Sequence, residues 1–95
     1  MSDPVVLVMD MHFSVGSNET IRLNVIERLR AVARSHGGCV TSHTHVTSAG
    51  RVRPRFHCRA DITQFTLRVL QFRLQTLSNT FRGQGYLESA TLEQL

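Results

Sequence analysis

Two pairs of side chains in this sequence have the spacing that brings metal ligands to one side of a β-strand. Asp10 and His12 form the first pair, and His43 and His45 form the second. Residues two apart on a strand point to the same face, and imidazole with carboxylate suits Zn, Ni or Mn. The sequence therefore predicts a candidate divalent-metal site, which a metal-binding protein or a metal-dependent enzyme would use.

A second chemical feature is the alternation over residues 51–59, where every odd position is Arg or His and every even position is apolar. A period of two is typical of a strand. One face of that strand would carry Arg51, Arg53, Arg55, His57 and Arg59, and the core face would carry Val52, Pro54, Phe56 and Cys58. Guanidinium groups bind carboxylate and phosphate through paired hydrogen bonds, so the basic face is a candidate anion-binding surface.

The turn at Gly16, Ser17 and Asn18 is a third candidate, because it precedes a helical pattern. Free N–H groups at a helix N-terminus can receive a ligand carboxylate. We therefore predict ligand binding by Gly16, Ser17 and Asn18 together with Arg53, Arg55, His57 and Arg59. No nucleophile elbow or catalytic triad accompanies the two cysteines, so no catalytic residue is assigned and a binding role is favoured over an enzymatic one.

The elements that would position these residues follow from hydrophobic periodicity. Strands are predicted at 5–13, 39–46, 51–59 and 86–92, and helices at about 18–36 and 63–81. The order strand, helix, strand, strand, helix, strand predicts a single α+β domain over residues 1–95. Its expected architecture is a ferredoxin-like βαββαβ sandwich with two helices on one face of an antiparallel sheet. The other face, with the basic strand, would be open.

The register of the central hairpin decides which residues join the basic face. A three-residue loop at Ser48, Ala49 and Gly50 would align Thr41, His43 and His45 with it. A two-residue loop would instead bury both histidines without evident partners, at a cost in desolvation. The three-residue loop is therefore predicted.

The second helix has two apolar faces. Leu67, Leu70, Leu74, Leu77 and Phe81 form the stripe expected to pack on the sheet, whereas Phe65, Val69 and Phe72 lie on nearly the opposite side. Either a partner or the C-terminal tail would cover that second face.

Composition limits the class of protein. The chain of 95 residues carries a net charge of +4 from eleven arginines and no lysine against seven acidic groups, which favours anionic partners. No apolar run approaches the roughly 20 residues of a membrane helix, and no signal peptide is visible. Two cysteines without CxxC spacing fit a reducing compartment, so a soluble cytoplasmic protein is expected.

The pattern resembles ACT-type regulatory domains, in particular the small regulatory subunits of acetolactate synthase. The similar features are a hydrophobic first strand, a Gly-containing turn into a helix, the run Glu27 to Gly38 leading to a strand, and Leu74-x-x-Leu77 before the last strand. The Pro-Gly turn usual in that family is replaced by Val15-Gly16-Ser17-Asn18. The resemblance implies a homodimer or higher oligomer with a small ligand near Gly16, Ser17 and Asn18.

The function expected from these patterns is a non-enzymatic, self-associating regulatory module that binds a small anionic metabolite. One alternative is binding of nucleic-acid phosphates by the basic face, although no outward aromatic residue accompanies the arginines. Another is the metal site described above. No cofactor other than a divalent metal is implied.

Overall fold

The strands and helices follow the predicted order. The structure is a computed structural model that describes residues 5–36, 40–41 and 50–95. Its elements are β1 (Val6–Phe13), α1 (Glu19–Ser35), β2 (Val40–Thr41), β3 (Arg51–Val52), β4 (Arg55–His57), α2 (Gln64–Gly83) and β5 (Leu87–Gln94). No helix in these ranges is long and apolar enough to cross a membrane.

The central strand of the antiparallel sheet is β1. It pairs with β5 on one side and with both β3 and β4 on the other, and β2 pairs with β4. Because β3 and β4 meet β1 in one continuous register, they are two halves of one strand, and the sheet has four strands. This order, with both helices on one face, is the ferredoxin-like arrangement, and it confirms the predicted fold class.

Pro54 divides the basic strand, which is the segment 51–59, into β3 and β4. Proline has no N–H to donate to a ladder, but the Pro54 carbonyl still accepts from the Met9 N–H at 3.1 Å. The strand therefore stays aligned with β1. Burial alternates as predicted, since even positions 52–58 are buried and odd positions 51–59 are exposed.

The predicted register of β2 was wrong by one residue. Val40 lies opposite His57 and Thr41 lies opposite Phe56, whereas the three-residue loop would have placed Thr41 opposite His57. Phe56 is fixed by its pairing with Leu7 on β1, so β2 is the strand that is displaced. Turn residues alone did not specify the loop length that sets this register. The candidate ligands His43 and His45 lie outside the described residues, as does Cys39.

The core lies between the sheet and the two helices. Odd positions of β1 (Leu7, Met9, Met11, Phe13) are buried against α1 (Val25, Leu29, Ala33) and α2 (Leu67, Leu70, Leu74, Phe81). Each helix begins at a capping side chain. Asn18 Oδ1 accepts from the Ile21 N–H at 2.9 Å, and Thr63 Oγ1 accepts from the Thr66 N–H at 3.1 Å. These caps satisfy donors that have no partner inside the helix.

The outer face of α2 keeps its aromatic residues exposed. Phe65 is 78% exposed and Phe72 is 71% exposed. The C-terminal segment does not cover them, because it forms β5 beside β1 in the sheet. Of the two occupants considered for this face, the C-terminal tail is therefore ruled out.

The turn into β3 requires glycine at position 50. Gly50 has a φ of +80°, and a Cβ there would lie 3.3 Å from the Phe13 carbonyl oxygen. The Gly50 carbonyl also accepts from the Phe13 N–H at 2.9 Å, so the backbone cannot move away without losing a ladder hydrogen bond.

We expect Gly50→Ala to lower the free energy of unfolding by about 1–2 kcal/mol, because a Cβ is strained in the left-handed region. Urea unfolding measures the change. Gly83→Ala is the matched control, since a Cβ there would meet no atom within 4 Å apart from its chain neighbours and the adjacent backbone of its own helix, and alanine favours the helix. Equal stability of the two variants would contradict this account of Gly50.

Candidate anion-binding face of the sheet

The sheet face opposite the helices carries the charged residues predicted from the sequence. We call it the open face. It is formed by the even residues of β1, the odd residues of the basic strand, and the residues of β5 paired with those of β1. Its members are Val6, Val8, Asp10, His12, Arg51, Arg53, Arg55, His57, Ser89, Thr91 and Glu93.

The basic side of the open face holds two arginines that make no ion pair within the described residues. Arg51 Nε lies 3.7 Å from Asp10 Oδ1. Arg53 and Arg55 are exposed, and in the described part of the chain neither makes an ion pair. Two guanidinium groups two residues apart on a strand, roughly 7 Å along it, are therefore free to bind an anion.

The other side of the open face is acidic. Val8 is paired with Arg55 on one side and with Glu93 on the other, so these three residues form one row across the sheet. A bulge between His12 and Phe13 interrupts the pairing with β5, and Glu88 Oε2 lies 3.3 Å from His12 Nδ1. The open face thus has a basic side and an acidic side, with Val6, Val8, Asp10 and His12 of β1 between them.

The predicted metal ligands are only partly described. Asp10 and His12 share the open face, as their spacing predicts. Asp10 is close to Arg51, and His12 is close to Glu88. Across residues 5–36, 40–41 and 50–95, no group of three or more His, Cys, Asp or Glu side chains could hold a metal ion. Since His43 and His45 lie outside those ranges, the four-ligand site stays a prediction.

The turn before α1 already uses several of its donors internally. The Ser17 N–H donates to the Ser14 carbonyl at 3.0 Å, and Asn18 caps Ile21. The cation nearest this turn is Arg22, whose Nε donates to Ser17 Oγ at 3.0 Å. Its guanidinium also lies 5.5 Å from the centroid of the Phe13 ring. The sequence did not indicate a role for Arg22. It lies on α1, and helical periodicity does not show which residues outside the helix a side chain contacts.

The predicted ligand-binding residues do not all meet. Gly16, Ser17 and Asn18 follow the C-terminal end of β1, whereas Arg59 lies at the other end, where the Cys58 N–H donates to the Val5 carbonyl. A strand of 8 residues separates these ends by roughly 25 Å. Arg59 also pairs with Asp61 at 3.1 Å. Only Arg53, Arg55 and His57 form one contiguous group, and ligand binding at the turn stays a separate prediction.

The acidic side was missed in the sequence. Glu88 and Glu93 are five residues apart, so a strict period of two places them on opposite faces. The bulge in the β1–β5 pairing changes that parity, and nothing in the sequence marks its position.

Comparisons with known proteins bear on the fold. No protein-family model matches the chain, and no curated protein matches it. Among solved structures, the chain is similar to that described as "Crystal structure of PA3566 from Pseudomonas aeruginosa", with a TM-score of 0.68 and 20% sequence identity. At that identity the match shows a common architecture and carries no information on ligand or activity. The alignment covers 100% of this chain and 94% of the other, so the whole chain is similar in fold to PA3566.

Proposed function

We propose that this protein is a non-enzymatic binding module that associates with a second copy through its open face and holds a small anion there. The observation that carries the proposal is the separation of charge on a sheet face that neither helix covers. Arg53 and Arg55 lie on one side, and Glu93 lies on the other. A surface that is basic on one half and acidic on the other is complementary to itself after a two-fold rotation.

The symmetry that fits is a two-fold axis parallel to β1. Rotation about that axis places the basic strand of one copy over β5 of the other, whereas an axis across the strands would place basic over basic. Arg55 then faces Glu93 of the second copy, and the positions of Val8 and Asp10 on β1 lie along the axis. Val8 is only 3% exposed in the single chain, so the contact between the sheets is made mainly by the charged side chains around it.

The anion is assigned to Arg53. The common register of β3 and β4 places Arg53 opposite Asp10, and Asp10 is paired with Thr91 on β5. In the two-fold arrangement Arg53 would therefore face a threonine of the second copy, while the Asp10 carboxylate beside it lies 3.7 Å from Arg51 Nε. A carboxylate ligand would supply the missing charge through paired hydrogen bonds. Sensing of a small anionic metabolite, as in ACT-type domains, is the most concrete form of this function.

Self-association should depend on the pair formed by Arg55 and Glu93 of the second copy. We expect Arg55→Glu to raise the dimer dissociation constant about tenfold or more, because it places like charges opposite each other. Glu93→Arg alone should do the same. The double variant should recover most of the affinity, since it restores opposite charges. Sedimentation velocity over a range of protein concentrations measures the constants.

Arg68→Glu is the control for this experiment. Arg68 is exposed on α2, and its substitution changes the net charge by the same amount as Arg55→Glu does. A wild-type protein that stays monomeric at high concentration would contradict self-association. Unchanged constants in the Arg55 and Glu93 variants would show that the open face is not the interface.

Ligand binding should depend on Arg53. Citrate at ten times its dissociation constant should stabilise the wild type by roughly 1.4 kcal/mol, which raises Tm by about 6 °C for a domain of this size. Arg53→Gln should remove most of that rise, and Arg68→Gln should leave it unchanged. Thermal unfolding with citrate, phosphate and a panel of amino acids measures the shifts. No stabilisation by any of them would contradict the proposed ligand.

Binding of nucleic-acid phosphates is the second candidate function, and the exposure of Arg53, Arg55 and Arg59 within one short segment favours it. Phe56 is fully buried, so the exposed His57 imidazole is the one ring that residues 51–59 offer for base stacking. If this function holds, single-stranded DNA should bind with a slope of log K against log salt near −0.7 for each phosphate contact. Arg→Ala at the three positions should abolish binding. Fluorescence anisotropy measures both, and affinity that does not change with salt would eliminate this function.

A further inference from the structure

The outer groove between α1 and α2 contains two adjoining cavities, which we call the interhelical seam. The larger has a volume of about 520 Å³ and an apolar wall formed by Ala31, Val32, Phe72 and Leu77. The smaller has a volume of about 240 Å³ and a polar rim that includes Asn24, Gln84 and Tyr86. Arg28 lines both cavities. The seam thus has an apolar end and a polar end, with one guanidinium at their junction.

The charge of the seam has a single sign. The Arg28 guanidinium lies 5.2 Å from the centroid of the Phe81 ring, which places it over the floor of the smaller cavity. Arg73 lines the larger cavity and contacts the His36 ring. None of the residues that line either cavity is acidic. An occupant that complements this seam carries negative charge and also covers apolar surface.

A second copy of the chain is a poor occupant for the same reason. Seam against seam would bring Arg28 and Arg73 of both copies together without an acidic residue to separate them. The open face differs, since it offers both signs of charge. The two surfaces therefore suit different occupants.

We propose that the interhelical seam binds an amphiphilic anion, a hydrocarbon chain that ends in a carboxylate. The carboxylate binds Arg28 and accepts hydrogen bonds from the polar rim. The chain lies along Val32, Leu77 and Phe72, where it covers the Phe72 ring that is otherwise 71% exposed. Each methylene group removed from water contributes to affinity, and the charge-assisted hydrogen bonds orient the chain. This site is separate from the proposed anion site at Arg53.

The test is a ¹H–¹⁵N NMR titration of the full chain with decanoate below its micelle concentration. Decyltrimethylammonium serves as a probe of similar length and opposite charge. We expect decanoate to shift the amide signals of Arg28, Val32, Leu77 and Tyr86 in a saturable way. Arg28→Gln should weaken binding about tenfold, as expected for loss of a charge-assisted hydrogen bond. Phe72→Ala should weaken decanoate binding severalfold. Because Phe72 is exposed, the variant should fold as the wild type does.

Two variants serve as controls. Arg34→Gln and Arg68→Gln make the same charge change at exposed positions of α1 and α2, and both should bind decanoate as the wild type does. Equal binding of the cationic probe, shifts confined to the open face, or no saturable shift would each overturn the proposal. It would also be overturned if the seam signals changed on dilution without ligand, because a second copy would then occupy the seam. Binding of an acidic amphipathic peptide in the absence of decanoate binding would reassign the seam to a protein partner.

Discussion

The position of β1 at the centre of the sheet determines how the rest of the structure is divided. Alternate side chains of a strand point to opposite faces, so one strand supplies both the core residues Leu7, Met9, Met11 and Phe13 and the central residues of the open face. Both neighbours of β1 are antiparallel, and directly paired residues lie on the same face. The position of every charged row on the open face is therefore determined by how the opposite face of the sheet packs against the helices.

This coupling explains why a small domain can keep a highly charged surface in order. A one-residue slip of the basic strand would bury arginines and expose Phe56, which is fully buried. The hydrophobic residues thus hold the arginines in register. The same coupling means that the two proposed binding surfaces lie on opposite sides of one core, with the open face formed by strands and the interhelical seam formed by helices.

Much of the fold could be predicted because periodicity is a local property. The alternation over residues 51–59 and the Leu67–Leu70–Leu74 stripe each identified an element and its buried face. The candidate site was predicted only in part, because charge complementarity depends on pairing between distant segments. The register of β2 and the bulge opposite His12 both depend on a single residue of offset. The seam was missed because its walls come from two helices whose relative rotation no sequence period specifies.

The acidic residues of β5 also affect the outer edge of the sheet, which β5 forms. In the described part of the chain β5 pairs with β1 alone, so its outer edge offers backbone groups on which another strand could be added. Two such edges placed side by side would bring the Glu88 and Glu93 carboxylates of both copies close together, and the bulge would disturb their alignment. Charges that favour contact between faces therefore oppose growth along the edge. In the proposed dimer, this repulsion would favour closure at two copies over extension into a fibre.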